Sequence, residues 1–140
     1  MASNIMIRDI MTKNVKVIRE DTTLHEVIAT LSSFDINSLI VMQADRPVGI
    51  ITTKDALVRG FEHGMPVSAI TAGMVASTPL TTIGEEASVE EAARLMKRSR
   101  IKHLPVVSEG KLVGIVTDSD IMFAVPSMLS TMEAVCRPQK

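Results

Sequence analysis

Two short stretches of this sequence place a threonine and an aspartate three residues apart, where an apolar β-branched run gives way to a polar one. Thr52 precedes Asp55, Thr117 precedes Asp120, and both pairs follow Gly-Ile-apolar. The pattern predicts a strand that leads directly into a helix. A carboxylate in a helix's first turn can accept hydrogen bonds from a cis-diol such as ribose, and the hydroxyl and free N–H groups suit polar or anionic groups. Threonine and aspartate also cap helices whatever the function, so both interpretations stay open.

Residues for catalysis or metal binding are not arranged in any familiar pattern. His25, His63 and His103 lie in unrelated contexts, and the sequence contains no H-E-x-x-H, C-x-x-C, P-loop or G-x-S-x-G motif. Cys136 is the single cysteine, which excludes an internal disulfide and fits a reducing compartment. We therefore predict that the chain is not an enzyme and has neither a metal site nor a required cofactor.

The two Thr-x-x-Asp patterns belong to a tandem duplication. A shift of 65 residues places 15–55 on 80–120 without a gap, and eleven of the 41 aligned positions are identical. Composition alone gives roughly two or three identities. The chain therefore contains two copies of one unit, with two related clefts.

Periodicity predicts the order β-α-β-β-α in each copy, an α/β (α+β) fold of tandem repeats with pseudo-twofold symmetry. The first helix follows a Thr23 cap, and we expect one buried stripe on it, made of Leu24, Val27, Ile28, Leu31 and Phe34. Ser88 caps the corresponding helix of the second copy. The predicted strands are 15–18, 38–42, 47–52, 79–83, 104–107 and 112–117, and the predicted helices are 24–34, 54–61, 89–98 and one that starts at 118.

The sequence divides into a first domain at 7–62, a second at 67–125 and a tail at 126–140. Gly64 and Pro66 break the chain between the copies. A short lead-in at 7–10 resembles 67–70 at an offset of 60, which makes 72–77 an insertion. The tail has a helical apolar stripe that suits a partner.

The bulk properties point to a soluble cytoplasmic protein. The net charge is −1, so no global field attracts nucleic acid or an anionic membrane. No apolar run reaches the 18 residues of a membrane span. The basic residues between Arg94 and His103 permit a nucleic-acid alternative, but no aromatic side chain stands among them, and cations near a helix C-terminus offset its dipole.

The doubled order of elements, the run Ile101-Lys-His-Leu-Pro-Val-Val107 and the run Gly114-Ile-Val-Thr-Asp-Ser-Asp120 resemble a pair of cystathionine β-synthase (CBS) domains over residues 7–125. The resemblance implies a Bateman module with two clefts for adenosine-containing ligands such as AMP, ADP, ATP or S-adenosylmethionine. It also implies association into a homodimer.

The resemblance assigns most ligand contacts to the second copy. Asp120 corresponds to the ribose-binding aspartate, Thr117 and Ser119 line the sugar and phosphate, and Lys102 and His103 face the phosphates. Thr78, Pro79, Leu80 and Thr81 form the edge that reads adenine, and Ile101, Pro105 and Ile115 form apolar walls.

The first copy supplies fewer of these groups. Thr52, Asp55, Ile50 and Val15 match the pattern, but Asn37 and Ser38 stand where the second copy has Lys102 and His103, and Ile40 replaces Pro105. We therefore expect two unequal clefts, with the stronger around Asp120.

The leading hypothesis is a stand-alone regulatory CBS pair that binds an adenosine nucleotide and signals in trans to an unknown protein partner. The alternative is a module that binds no ligand and instead oligomerises or docks on an enzyme.

Overall fold

The structure, a computed structural model, describes residues 5–125, so the predicted C-terminal helix at 126–140 lies outside the described residues. The described residues form two compact units. The first-copy unit consists of residues 15–80, and the second-copy unit combines residues 5–14 with 81–125. Each unit thus consists of one copy together with the segment that precedes the other copy in the sequence.

The first-copy unit has the predicted β-α-β-β-α order and ends in one additional short helix. Its elements are β1 (Val17–Arg19), α2 (Leu24–Ser33), β2 (Ser38–Gln43), β3 (Arg46–Thr52), α3 (Thr53–Glu62) and α4 (Ala72–Val75). The second-copy unit repeats that order and begins with its own short helix. Its elements are α1 (Ile7–Ile10), β4 (Ile83–Gly84), α5 (Val89–Ser99), β5 (His103–Ser108), β6 (Lys111–Thr117) and α6 (Asp118–Ala124). The predicted α/β fold class is confirmed.

Each unit contains one three-stranded sheet, ordered β1-β2-β3 or β4-β5-β6. The first pair of strands is parallel and the second is antiparallel in both sheets. The register breaks at the same place in each antiparallel pair, between Val41 and Met42 and between Val106 and Val107. The duplicated sequence therefore specifies the same pairing twice, irregularity included.

Helices α2 and α5 begin where the sequence predicts. The Thr23 hydroxyl accepts the Glu26 N–H at 3.2 Å, and the Ser88 hydroxyl accepts the Glu91 N–H at 3.1 Å. Such caps satisfy N–H groups that have no partner within the helix. The caps and the buried faces of the helices together fix where each helix starts.

The predicted buried stripe on α2 is partly wrong. Leu24, Val27 and Leu31 are buried in the core of the first-copy unit, but Ile28 and Phe34 are exposed. The face of α2 that the core covers is narrower than the apolar stripe. Ile28 instead lines an open apolar groove described below.

The prediction that 67–70 corresponds to 7–10 is also wrong. Helix α1 matches α4 at an offset of 65, the same offset as the rest of the repeat. Hydrogen bonds agree: the Ile5 carbonyl accepts the Val89 N–H, and the Ile70 carbonyl accepts the Leu24 N–H. Residues 72–77 are therefore not an insertion, and the repeat runs unbroken from 5–60 to 70–125.

The segments that contain α1 and α4 are exchanged between the copies, and we call residues 5–12 and 70–77 the exchanged segments. Ser77 and Ile50 form two main-chain hydrogen bonds of 2.8 and 3.2 Å in the first-copy unit. Thr12 and Ile115 form the corresponding bonds, of 2.9 and 3.0 Å, in the second-copy unit. Each unit thereby gains a short antiparallel bridge beside its last strand.

Glycines in β3 and β6 permit this close approach. A Cβ added at Gly114 would lie 2.6 Å from the Met11 sulfur and 2.9 Å from the Thr12 carbonyl oxygen. A Cβ at Gly49 would lie 3.0 Å from the Thr78 methyl carbon and 3.1 Å from the Ser77 carbonyl oxygen. The glycine of each Gly-Ile-apolar-Thr run therefore serves the exchanged segment.

We expect Gly114→Ala to lower the free energy of unfolding by about 1–3 kcal/mol, because the new methyl group overpacks against main-chain atoms. Urea denaturation measures the change. Gly84→Ala is the matched control, since a Cβ there meets no atom within 4 Å. Equal stability of the two variants would contradict this account of Gly114.

Candidate functional site

The first Thr-x-x-Asp turn forms a reciprocal cap between β3 and α3. The Thr52 hydroxyl accepts the Asp55 N–H at 3.1 Å, and Asp55 Oδ2 accepts the Thr52 N–H at 3.0 Å. Each side chain satisfies the main chain of the other, as in a capping box. Both side chains are half-buried.

The second turn repeats this geometry between β6 and α6. The Thr117 hydroxyl accepts the Asp120 N–H at 3.2 Å, and Asp120 Oδ2 accepts the Thr117 N–H at 2.9 Å. Ser119 is exposed, and its N–H donates to Asp118 Oδ1 at 2.9 Å. Helix capping, one of the two interpretations of the Thr-x-x-Asp pattern, is therefore present at both turns. A role in ligand binding depends on which carboxylate acceptor positions have no protein partner.

The remaining contacts of the two aspartates differ. Ser77 Oγ donates to Asp55 Oδ2 at 3.4 Å, and Arg59 Nε lies 3.8 Å from Asp55 Oδ1. Among residues 5–125, Asp120 has only its two bonds to Thr117. Asp120 thus has a carboxylate oxygen, Oδ1, that makes no hydrogen bond or ion pair with any described residue.

Sequence reasoning missed Ser77 and Arg59. Ser77 is the counterpart of Thr12 at the constant offset of 65, which the mistaken alignment of the lead-in concealed. Arg59 follows Asp55 by four residues on a predicted helix, a spacing typical of an ion pair, and this pattern was available in the sequence.

The predicted phosphate-facing residues flank the second turn. The Lys102 carbonyl accepts the Asp118 N–H at 3.0 Å, and His103 pairs with Thr117 across β5 and β6. The Lys102 side chain is exposed and that of His103 is half-buried. In the first-copy unit, Asn37 accepts the Thr53 N–H at 3.0 Å, and Ser38 pairs with Thr52. The main chain is therefore the same in both units, and only the second has basic side chains there.

The predicted apolar walls occupy the same sheet. Pro105 is buried and pairs with Ile115, which is half-buried, and Ile101 packs beside the core of the second-copy unit. Ile40 and Ile50 form the corresponding pair in the first-copy unit.

The predicted adenine edge divides between the units. Thr78, Pro79 and Leu80 close the first-copy unit, where the Thr78 methyl group packs near Gly49, and Thr81 opens the second-copy unit. Val15 is half-buried and precedes β1 rather than lying in it. Their assignment to ligand contacts stays a prediction.

Two further properties of the described residues bear on function. Within 5–125, no three His, Cys, Asp or Glu side chains are grouped so that they could hold a metal ion. The longest helix of that range, α5, has 11 residues, and no helix there has the length and apolar character needed to cross a membrane.

The doubled sheet-and-helix unit, with a capped Thr-x-x-Asp turn in each copy, is the architecture of a CBS domain pair. The CBS domain family model matches residues 7–60 and 72–127. The chain therefore belongs to the CBS domain family.

Relatives of known sequence and structure agree with this assignment. Hypoxic response protein 1 of Mycobacterium tuberculosis is 32% identical over 134 residues, which cover 94% of each chain. A crystal structure of Hypoxic Response Protein I with two coordinated zinc ions aligns with a TM-score of 0.77 and 31% identity, over 86% of this chain and 99% of that one.

Two other solved structures extend the comparison. The hexameric CBS-CP12 protein from bloom-forming cyanobacteria aligns with a TM-score of 0.79 and 26% identity, over 100% of this chain and 78% of that one. CBSX2 in complex with AMP aligns with a TM-score of 0.75 and 23% identity, over 89% and 98% of the two chains, which supports the fold alone.

We expect Thr117→Ala to lower the free energy of unfolding by about 1 kcal/mol without any ligand, because the Asp120 N–H loses its acceptor. Thr117→Ser keeps the hydroxyl and restores most of this stability. Denaturant titration of both variants tests the capping role, which is excluded if Thr117→Ala is as stable as the unaltered protein.

Proposed function

We propose that the chain is a regulatory module that binds an adenosine-containing nucleotide in its second-copy unit. The observation that carries the proposal is the Oδ1 of Asp120, which has no hydrogen-bond or ion-pair partner among residues 5–125, while Oδ2 is held by the Thr117 N–H. A carboxylate fixed in this way is ready to accept hydrogen bonds from the two ribose hydroxyls, because little conformational freedom is lost on binding. CBSX2, a protein of the same fold, has been crystallised in complex with AMP, and the proposal extends this class of ligand to the present chain.

Basic and hydroxyl side chains around Asp120 provide for the rest of the nucleotide. Lys102 and His103 flank the turn; the Lys102 ammonium and a ring N–H of His103 would interact with phosphate, while Ser119 supplies an exposed hydroxyl. Ile101 and Ile115 offer apolar surface beside the turn. In this proposal Asp120 recognises the sugar and the two basic residues distinguish nucleotides by phosphate content.

The proposed output is a change in affinity for a partner protein. A ligand shifts the balance between two conformations only by its difference in affinity for them. Nucleotide binding would therefore regulate the partner in trans by favouring one conformation of this chain, with no reaction at the site.

We expect AMP, ADP, ATP or S-adenosylmethionine, tested separately by thermal denaturation, to stabilise the protein. A ligand at 100 times its Kd raises the free energy of unfolding by about 2.7 kcal/mol. Asp120→Asn is expected to abolish this gain, because the amide offers one acceptor oxygen where the carboxylate offers two.

Asp35→Asn is the matched control, since Asp35 is exposed and far from the turn in sequence. The proposal fails if none of the four compounds stabilises ligand-free protein, and the assignment of Asp120 fails if Asp120→Asn responds as the unaltered protein does.

A second candidate function, self-association, follows from an exposed apolar face on the first-copy unit. Helices α2 and α3 border a groove of about 530 Å³. Leu57 and Phe61 are 72% and 86% exposed there, beside Ile28, Met65 and Val67. We propose that this face pairs with the same face of a second copy to form a homodimer. A symmetric dimer needs only one self-complementary patch, and the hexamer formed by CBS-CP12 supports assembly in this family.

We expect Phe61→Glu to weaken the homodimer about 30-fold or more, because a charge at the centre of an apolar interface removes an aromatic anchor and is costly to bury. Sedimentation equilibrium measures the effect. Phe123→Glu is the control, since Phe123 is 89% exposed but lies on α6 of the other unit. A dimer that Phe123→Glu disrupts and Phe61→Glu spares would place the interface elsewhere.

A further inference from the structure

Arg59 makes a set of contacts in the first-copy unit that the second-copy unit lacks. Its Nη1 donates to the carbonyls of Ala76 at 3.0 Å and Val75 at 3.4 Å, and its Nε lies 3.8 Å from Asp55 Oδ1. Arg59 thus connects the exchanged segment 70–77 to the aspartate of the first turn. The residue 65 positions later is Ala124, which has no charged group to make such contacts.

These contacts restrict what Asp55 can offer to a ligand. A carboxylate has about four acceptor positions, two on each oxygen. At Oδ2 of Asp55 both are taken, by the Thr52 N–H and by Ser77 Oγ, while Oδ1 faces the Arg59 guanidinium. A cis-diol donates two hydrogen bonds, and at Asp55 it would have to donate both to Oδ1, directly beside the Arg59 guanidinium.

Asp120 has fewer such contacts than Asp55. One position of its Oδ2 is taken by the Thr117 N–H, and among the described residues no hydrogen bond or ion pair reaches Oδ1. Thr12, the counterpart of Ser77, is exposed, and its hydroxyl makes no hydrogen bond to Asp120. The two carboxylates therefore have the same main-chain setting and different remaining capacity.

The ion pair alone would be a weak obstacle, since Arg59 is 44% exposed and surface ion pairs contribute little. The guanidinium is nevertheless held beside Asp55 by its bonds to two main-chain carbonyls, which a ligand does not displace by competing for Asp55. The Asp55 side chain is also only 17% exposed. The obstacle is thus the fixed position of Arg59 rather than the strength of its attraction to Asp55.

We propose that Arg59 is a positioning residue that keeps Asp55 in a structural role, so that each chain binds one nucleotide, through Asp120. This inference rests on the proposed function and goes beyond it by naming the residue that makes the two sites unequal. The two sites differ in the partners of their equivalent aspartates, Asp55 and Asp120, and not only in the absence of phosphate-facing side chains from the first.

Isothermal titration calorimetry with AMP, ADP, ATP and S-adenosylmethionine tests the inference by stoichiometry. We expect one molecule per chain in the unaltered protein and in Asp55→Asn, and none in Asp120→Asn. Combining Arg59→Ala with Asp120→Asn is expected to restore binding to one molecule per chain, now through Asp55.

Two further variants separate positioning from folding. Arg59→Gln removes the guanidinium from its position beside Asp55 and keeps a side-chain N–H donor, so it also restores binding in the Asp120→Asn background even if Arg59→Ala loosens the exchanged segment. Arg46→Ala, which removes an exposed arginine from the same unit, restores none.

The outcomes distinguish this inference from the proposed function. Two molecules per unaltered chain, or no restored binding in either Arg59 variant when circular dichroism shows both to be folded, overturns the role of Arg59 and leaves nucleotide binding intact. No binding of any of the four compounds to any variant overturns both.

Discussion

Main-chain pairing between an exchanged segment and the strand before each Thr-x-x-Asp turn is the constraint on which the rest of the structure depends. Ser77 pairs with Ile50, and Thr12 pairs with Ile115, through two hydrogen bonds each. The pairing requires a glycine one residue earlier in the strand, because a side chain there would meet the incoming main chain. It also places residue 77 or residue 12 near the end of the strand, where the turn begins. The surroundings of each turn therefore include a segment that is distant in sequence.

The two copies have the same backbone geometry but different side chains around their turns. Strand register, bulge and reciprocal cap are the same in both units, so backbone geometry does not explain why the sites differ. The differences arise at single positions: Ser77 against Thr12, and Arg59 against Ala124. Because main-chain bonds maintain the fold at these places, the side chains were free to diverge after duplication. Asp55 of the first turn contacts Ser77 and Arg59, whereas among the described residues Asp120 of the second turn bonds only to Thr117.

Much of the architecture could be predicted from sequence because it depends on local patterns. Alternating apolar residues and the caps at Thr23 and Ser88 set the strands and helices, and the Gly-Ile-apolar-Thr-x-x-Asp run set both turns. Two features could not be read correctly in this way. Apolar periodicity on α2 does not reveal which part of the stripe finds a partner, so Ile28 and Phe34 were placed in the core. The partners of 5–12 and 70–77 lie in the other copy, and a weak likeness at an offset of 60 concealed them. The Arg59 contacts depend on the same long-range pairing.

The exchange of segments also means that a single repeat is incomplete. The exchanged segment at the start of a repeat does not pair with the last strand of that same repeat. The last strand therefore lacks its partner unless another copy supplies one. A single repeat would satisfy both needs only by pairing with a second copy. In the duplicated chain this pairing is intramolecular, with an effective concentration in the millimolar range for a short connection. Two copies within one chain can differ in sequence, whereas the two halves of a pair of identical chains cannot.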